Sequence, residues 1–205
     1  MGFYTDRVLP HIVHVVCGAK DLAPLRDRVT AELTGDVVEV GFGSGSNVAH
    51  YPTTVRRVVA VEPSDVAWRI AGKRVGAASV PIERSGLDGQ SLPFPDESFD
   101  HALSTWTLCT IPDPVAALRE LRRVLRPGGQ LHFLEHGLAP DEPVRRWQWR
   151  FDPLQRRLAG GCHLSRPIAS LITEGGFAIT ELDEFYQPHT LKFANSYYLG
   201  RAVPT

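Results

Sequence analysis

Glycines at alternate positions mark the segment of this chain that is best suited to bind a small molecule. Gly41, Gly43 and Gly45 follow the apolar run 37–40. Glycine allows a tight turn and lets the backbone approach a ligand that a Cβ atom would keep at a distance. The spacing is G-x-G-x-G and not the dinucleotide pattern G-x-G-x-x-G, because Ser46 stands at the last glycine position. This spacing disfavours an NAD-dependent oxidoreductase.

Acidic and amide side chains lie close to this loop in the sequence. Glu39 stands just before the glycines and Asn47 just after them, while Glu62 and Pro63 close the next apolar run, about 20 residues further on. An acid at the end of the second strand can accept hydrogen bonds from the hydroxyls of a ribose. The alternative is structural: the glycines would only form a turn, and Glu39 would only cap a loop.

The hydrophobic pattern predicts alternating strands and helices, which is typical of a parallel α/β sheet. Predicted strands cover residues 36–40, 57–61, 80–83, 99–104, 130–135, 177–186 and 193–202, and the last two are expected to pair antiparallel. Predicted helices cover residues 4–17, 21–33, 65–75, 113–125, 141–159 and 167–174, with a further helix after the glycine loop. Asp21, Ser64 and Asp113 are the expected N-caps, and Asp152-Pro153 is expected to break the helix at 141–159.

Two further motifs stand in a fixed order after the glycine loop. Residues 92–100 read LPFPDESFD, and residues 125–129 read LRPGG. With Asp88, which lies just before the first of these motifs, the set resembles the class I S-adenosylmethionine-dependent methyltransferases, in their methyltransferase type 11 form. The resemblance covers about residues 33–136. It implies an α/β fold: a single Rossmann-like domain whose seven-stranded, mostly parallel sheet carries helices on both faces.

The resemblance also implies the cofactor S-adenosyl-L-methionine, the product S-adenosyl-L-homocysteine and a set of cofactor-binding residues. These are Glu39, Gly41, Gly43, Gly45, Asn47, Glu62, Pro63, Asp88, Gly89, Thr105 and Trp106. Glu62 matches the acid that binds the ribose, and Asp88 matches the acid that accepts from the adenine amino group, with the Gly89 amide nearby. Thr105 and Trp106 match the strand end beside the reacting methyl group. The chain departs from the family at Leu87, where a glycine is usual.

The second half of the chain carries a different set of residues. Their order is Glu135-His136, Trp147 and Trp149, Asp152-Pro153, Gly161-Cys162-His163-Leu164-Ser165-Arg166 and Gly176-Phe177. This order is similar to the methyltransferase-like alkyl-thiol methyltransferases. The resemblance makes a small, fairly apolar thiol the preferred methyl acceptor. A phenolic, quinone-like or lipid acceptor, methylated on oxygen or carbon, is the alternative, and a non-catalytic S-adenosylmethionine-binding module is the alternative of another class.

Candidate catalytic residues are His136, Glu135 and His163. A free thiol has a pKa of about 8.5, so it supplies thiolate near neutral pH without a strong base. An alcohol depends more strongly on a general base. His136 follows a predicted strand end and is the first candidate for a base, with Glu135 expected either to orient it or to line the pocket. The alternative is that His136 only hydrogen bonds to a neighbouring loop. Cys162 is interpreted as an inert buried thiol.

The side chains around this candidate site have structural roles in our interpretation of the sequence. Arg166 is expected to pair with Asp152, and contact with an anionic substrate is the alternative. Trp147 and Trp149 lie two residues apart, so one helix cannot point both in the same direction. We therefore expect one of them in the core and the other beside the acceptor.

The first 34 residues are predicted to form a helical lid, and residues 35–205 the methyltransferase domain. Lids of this kind exclude water and control product release. The alternative is that the first helix only covers the edge of the sheet. His11, His14 and Cys17 share a broad face of this helix, but three ligands from one helix make poor zinc geometry, and no metal is expected.

Composition restricts the partners further. The 205 residues fit one domain, and 22 Lys+Arg against 23 Asp+Glu give a net charge of -1, which argues against a nucleic-acid partner. No apolar run approaches the ~20 residues of a membrane helix, although peripheral contact through the first helix stays open. Residues 1–6 do not read as a signal peptide, and an odd number of cysteines, three, favours a reducing compartment. We therefore expect a cytoplasmic enzyme with a small-molecule acceptor and leave its oligomeric state open.

Overall fold

A seven-stranded sheet forms the centre of the protein in a computed structural model, which describes residues 2–85 and 89–205. Its strands are β1 (Gly35–Val40), β2 (Val55–Val61), β3 (Ile82–Ser85), β4 (Phe99–Thr105), β5 (Leu125–His136), β6 (Phe177–Tyr186) and β7 (Ser196–Pro204). The order across the sheet is β3-β2-β1-β4-β5-β7-β6. Only β7 runs against its neighbours, since it pairs antiparallel with both β5 and β6. The predicted seven-stranded, mostly parallel sheet is confirmed.

In the part of the chain that the structure describes, six α-helices connect or cover these strands. They are α1 (Leu9–Cys17), α2 (Ala23–Thr30), α3 (Asp65–Gly76), α4 (Pro114–Val124), α5 (Glu142–Leu158) and α6 (Ile168–Glu174). The caps of α3 and α4 are confirmed: Ser64 Oγ accepts from the Ala67 amide at 3.2 Å, and Asp113 Oδ1 accepts from the Ala116 amide at 2.9 Å. Asp21 is not a cap, because it lies inside the 3₁₀ turn Lys20–Leu22 that precedes α2.

Alternating side chains along β1 serve two separate hydrophobic cores. Val38 and Val40 pack on the face covered by α4 and α6, and Val37 packs on the opposite face under α2 and α3. Helices therefore lie on both faces, as predicted, and the apolar strands are buried from both sides. Because both faces are filled, the exposed ends of the strands are where this sheet can offer groups to a ligand.

Two further local predictions were wrong. No α-helix follows the glycine loop; the chain makes only the 3₁₀ turn Val48–His50 before β2 begins. Helix α5 is not broken at Asp152-Pro153. A proline removes one helical hydrogen bond, but two buried polar side chains that precede Pro153 hold α5 to the neighbouring backbone. Gln148 bonds to the backbone of Gly137 and Ala139, and Asp152 accepts from the amide of Leu164.

The first 34 residues divide between the core and the surface. Leu25 and Val29 of α2, and Leu33 after it, pack in the same core as Val37. Helix α1 and the π-helical segment Tyr4–Val8 before it contain no buried residue. The packing therefore joins α2 to the methyltransferase core, and α1 with its preceding segment is the part that lies on the surface. Within residues 2–85 and 89–205, no helix is long and apolar enough to span a membrane.

Candidate active site

The glycine loop turns away from the carboxyl end of β1 in a conformation that side chains rarely adopt. Gly41, Gly43 and Gly45 have φ angles of +71°, +58° and +73°. A Cβ atom on Gly41 would lie 2.0 Å from Thr107 Oγ1, so the loop after β4 packs directly against this glycine. Glycine is required at Gly41 both by its φ angle and by this contact.

Buried polar side chains fix the base of the loop. Asn47 Nδ2 donates to Glu39 Oε1 at 2.9 Å and to Thr105 Oγ1 at 3.0 Å, and the Tyr51 hydroxyl donates to Glu39 Oε2. The Arg26 guanidinium donates to Asn47 Oδ1. Burial raises the pKa of Glu39 to about 7, while its hydrogen bonds and Arg26 act in the opposite direction. The network joins β1, the glycine loop and the end of β4 into one unit.

Glu62 lies at the end of β2 and holds two backbone amides. Its Oε2 accepts from the Gly43 amide and its Oε1 from the Ser64 amide, both at 2.7 Å. Burial raises the pKa of Glu62. Each carboxylate oxygen has a second lone pair, so the side chain can still accept from two vicinal hydroxyls. The predicted ribose acid thus lies against the glycine loop.

The remaining predicted cofactor residues frame the same edge of the sheet. Gly89 is buried, and a Cβ atom on it would lie 2.5 Å from Val40 Cγ1, so its backbone passes close to the end of β1. Pro63 is exposed beside Glu62. Asp88 lies outside the described residues.

Trp106 is held in an unusual backbone conformation where β4 ends. Its φ angle is +49°, and its amide donates to the Leu134 carbonyl at 2.8 Å. Its indole ring lies 4.7 Å from the Arg26 guanidinium and meets the Tyr197 ring edge to face. Residues held at positive φ cluster at functional sites. The conformation turns the chain from β4 into the loop that faces Gly41.

Glu135 holds this loop and does not orient His136. Its carboxylate accepts from Ser104 Oγ at 2.7 Å, from the Thr107 amide at 2.9 Å and from the Cys109 amide at 3.4 Å. Burial raises its pKa to about 7. Successive residues of a strand point to opposite faces, so Glu135 and His136 serve different neighbours. The predicted pairing of these two side chains is wrong for that reason.

His136 instead lies beside two thiols. Its Nδ1 is 3.7 Å from Cys162 Sγ, which is 3.6 Å from Cys109 Sγ. The hydrogen bond between Cys162 and Cys109, together with the neighbouring imidazole of His136, lowers the pKa of Cys162, whereas the pKa of Cys109 is raised. His163 donates its amide to the Cys109 carbonyl at 2.8 Å, and its ring faces Asp152 at 3.5 Å. Sequence reasoning missed Cys109 and treated Cys162 as inert.

Other predicted contacts on the acceptor side differ from the structure. Arg166 does not pair with Asp152; it donates to the carbonyls of Leu108 and Ile111 and so braces the loop after β4. Trp147 and Trp149 are both about half exposed on α5, so neither is a core residue. Trp147 stacks on Phe151, which extends an aromatic surface along that helix.

The N-terminal helix reaches the cofactor side of the site. His14 Nδ1 lies 2.9 Å from Ser44 Oγ in the glycine loop. Arg74 of α3 donates to His14 Nδ1 at 3.2 Å and to the Ser44 carbonyl at 2.9 Å. At the end of α1, the Cys17 carbonyl accepts from Arg26. Helix α1 therefore lies over the loop that would hold the cofactor.

A glycine loop after β1, with an acid at the end of β2, defines a nucleoside-binding protein with a Rossmann-like sheet. A methyltransferase domain family matches residues 38–133. Over 190 residues the chain is 30% identical to the thiol S-methyltransferase TMT1B of Rattus norvegicus. The aligned residues make up 90% of this chain and 74% of that relative. The chain belongs to the class I S-adenosylmethionine-dependent methyltransferases, and its methyl donor is S-adenosylmethionine.

Two further comparisons set the breadth of this similarity. An S-adenosylmethionine-dependent methyltransferase structure from Thermotoga maritima has a TM-score of 0.66 at 21% identity and covers 98% of each chain. The demethylmenaquinone methyltransferase of Clavibacter sepedonicus is 31% identical over 58% of this chain and 49% of its own. The structure fits the cofactor as well: the backbone at Gly41 and Gly89 is closed to a Cβ atom, and Glu62 keeps free lone pairs beside the glycine loop.

Proposed function

We propose that this methyltransferase transfers the methyl group of S-adenosylmethionine to the sulfur of a small, fairly apolar thiol. The observation that carries this proposal is the similarity to a thiol S-methyltransferase over 90% of the chain, since it includes the segment that follows β5. The chemistry of the described residues supports it. Glu135, whose carboxylate accepts from the Cys109 amide, is committed to backbone amides and is not free to act as a strong base.

The cofactor supplies an activated sulfonium methyl group, so the protein mainly has to position two reactants in line. We assign cofactor binding to the network of Glu39 and Asn47, to Glu62 and to the backbone of the glycine loop. Thr105 and Trp106, at the end of β4, separate this half from the acceptor half. Arg26 supports both residues of the strand end. It donates to Asn47, which in turn donates to Thr105, and its guanidinium lies over the indole ring of Trp106.

On the acceptor side we assign His136 to the thiol itself. Its buried ring stands at the end of β5 and can accept the thiol proton or orient the thiolate. His163 is a positioning residue, because its amide fixes the Cys109 carbonyl. Glu135 is a positioning residue of the loop between Ser104 and Cys109. Thiols need less help than alcohols, because their ordinary pKa of about 8.5 leaves a useful thiolate fraction at neutral pH.

The second candidate is methylation of a phenolic or quinone-like acceptor on oxygen or carbon. The similarity to a demethylmenaquinone methyltransferase favours it, although that similarity spans only 58% of the chain. Deprotonation of such an acceptor requires a stronger base than deprotonation of a thiol does.

Matched acceptors separate the two candidates. The purified protein is incubated with S-adenosylmethionine and, in parallel, with an aryl thiol and its phenol, an alkyl thiol and its alcohol, and a quinol. Formation of S-adenosylhomocysteine and the mass of the methylated product are measured, with Glu62→Ala as the control deficient in cofactor binding. We expect product with the thiols only. Product with the phenol or the quinol, and none with either thiol, would overturn the thiol assignment and leave the methyltransferase in place.

A further inference from the structure

Two thiols and an imidazole meet on the acceptor side of the candidate active site. Cys109 comes from the loop after β4, His136 from the end of β5, and Cys162 from the turn after α5. Their Sγ and ring nitrogen atoms all lie within 4.8 Å of one another. Three separate elements therefore direct three soft or intermediate metal ligands to one point.

Two of the three separations within this group match those of a tetrahedral metal ion. Zinc binds cysteine sulfur at about 2.3 Å and histidine nitrogen at about 2.0–2.1 Å, which places the ligand atoms of a tetrahedral site about 3.6–3.8 Å apart. Cys109 Sγ and Cys162 Sγ are 3.6 Å apart, and Cys162 Sγ is 3.7 Å from His136 Nδ1. A disulfide between the two cysteines would instead need a separation of about 2.05 Å. We propose that Cys109, Cys162 and His136 form a zinc site.

The surroundings keep the three ligands in place before a metal arrives. Cys109 is 1% exposed, its amide points to the Glu135 carboxylate, and its carbonyl accepts from the His163 amide. His136 pairs with Tyr197 in the antiparallel ladder of β5 and β7. Metal sites need such support, because ligands that are fixed by their neighbours lose little freedom on binding. The group is therefore built into rigid parts of the fold.

Charge near the group also suits two thiolates. The Arg166 guanidinium lies within electrostatic range of both Cys109 and Cys162 and is anchored on the carbonyls of Leu108 and Ile111. Two thiolates balance the charge of one zinc ion, and a third thiolate in the fourth position would leave one negative charge. Arg166 is placed to offset that charge.

Three protein ligands leave one position open, as in catalytic zinc sites. Among the described residues, the group has these three members. We infer that the sulfur of the acceptor takes the fourth position, an inference that rests on the proposed function. Zinc lowers the pKa of a bound thiol, so the acceptor enters as a thiolate and its proton leaves to solvent.

The methyl transfer step that follows is balanced. The zinc-bound thiolate sulfur attacks the methyl carbon, the new sulfur–carbon bond forms, and the sulfonium bond to that carbon breaks with its electron pair. Neutral S-adenosylhomocysteine and a methyl thioether result. The thioether is a weaker ligand than a thiolate and leaves the metal to water or to the next thiol. On this route His136 serves the acceptor through the metal and not as a free base.

Metal content tests the site without reference to activity. The 205-residue protein is purified from zinc-supplemented cells, dialysed and analysed by elemental mass spectrometry, together with Cys162→Ala and Cys17→Ser. Cys17→Ser also removes one thiol, but outside the group. We expect about one zinc per chain in the wild type and in Cys17→Ser, and a loss of at least about tenfold in Cys162→Ala. Zinc retained by Cys162→Ala, or absent from the wild type, would overturn the site.

Cobalt substitution covers the case in which Cys162→Ala fails to fold. The wild-type protein, with its zinc removed, is titrated with Co²⁺, and its absorption spectrum is recorded. Thiolate-to-cobalt charge-transfer bands with visible bands of tetrahedral intensity support the site. A protein that gives no such bands, and that loses two hydrogen masses through a Cys109–Cys162 disulfide, contradicts it.

Thiol methylation with and without zinc separates this inference from the proposed function. Zinc bound at the site, with methylation that falls by more than about tenfold on its removal, supports both. Methylation that is unchanged by zinc removal overturns the role of the metal and leaves the thiol acceptor. Zinc bound, with no methylation of any thiol, retains the metal site and overturns the acceptor.

Discussion

His14 Nδ1 lies 2.9 Å from Ser44 Oγ, which joins the N-terminal helix to the middle of the glycine loop. Arg74 donates to both residues and holds the contact from the side of α3. No residue of α1 is buried, so the burial of apolar side chains contributes little to holding it in place. We propose that α1 and the segment before it form the lid over the cofactor, whereas α2 belongs to the core.

Replacing His14 tests this lid. His14→Ala removes the contacts with Ser44 and Arg74, and we expect faster release of S-adenosylhomocysteine, measured by stopped-flow displacement. His11→Ala is the matched control, because His11 is exposed on the same helix. Equal release rates for the wild type and His14→Ala would contradict a lid that is fastened at Ser44.

The same contact predicts a pH dependence of release. Arg74 donates to His14 Nδ1, so this nitrogen must be unprotonated, and burial and Arg74 lower the pKa of His14 below its ordinary 6.5. A histidine with a lowered pKa contributes stability that is present above 6.5 and lost as pH falls through the folded-state value. We expect product release to accelerate at acidic pH in the wild type, and to a smaller extent in His14→Ala.

Removing the ribose acid should weaken cofactor binding. Glu62→Ala loses a buried carboxylate that can accept from ribose, and hydrogen bonds to charged groups are worth about 1.5–3 kcal/mol. We expect the calorimetric affinity for S-adenosylhomocysteine to fall by roughly 10- to 150-fold. Glu83→Ala removes the same charge from β3, where the side chain is 65% exposed, and should leave the affinity unchanged. If Glu62→Ala bound S-adenosylhomocysteine as tightly as the wild type, the ribose assignment would be refuted.

A pair of glycines tests the packing of the loop. Gly41→Ala places a Cβ atom 2.0 Å from Thr107 Oγ1 at a φ angle of +71°, so we expect a loss of about 1–3 kcal/mol or more in the free energy of unfolding, and weaker cofactor binding. In Gly72→Ala of α3 the new Cβ atom meets nothing within 4 Å, and we expect a gain of up to about 1 kcal/mol. Urea denaturation measures both, and similar effects in the two variants would contradict the packing.

Glu39 predicts that stability depends on pH. Burial raises its pKa to about 7 from the ordinary 4.5, so the folded state holds its proton more tightly than the unfolded chain. That contribution is complete below pH 4.5 and is lost as pH rises through 7, by up to about 3 kcal/mol. Glu39→Gln keeps the size and shape of the side chain but removes its ionisable group. We expect its stability relative to the wild type to increase between pH 5 and pH 8 in urea unfolding without cofactor; a constant difference would oppose this.

Features encoded by neighbouring residues were predictable from the sequence. The caps Ser64 and Asp113, the strand before Gly41 and the acid at the end of β2 each depend on a local pattern with one physical cause. The missing helix after the glycine loop shows the limit of such patterns, since the same residues form a 3₁₀ turn when the next strand starts early, at Val55.

Features that join distant parts of the chain were not predictable in this way. The Cys109–Cys162 contact spans 53 residues, and His136–Cys162 spans 26, so no spacing rule links the three. Glu135 stands next to His136 in sequence, yet its carboxylate faces the loop after β4 because neighbouring strand residues point to opposite faces. Only the packed structure shows which side chains share a site.

Arg26 limits how far this chain can be shortened. From α2 it donates to Asn47 and to the Cys17 carbonyl, and its guanidinium lies over Trp106. A truncated protein that begins at residue 35 would lose these three attachments and would expose the core face that Leu25 covers. For expression of a minimal catalytic fragment, the N-terminal boundary therefore belongs before α2 and not at the first strand.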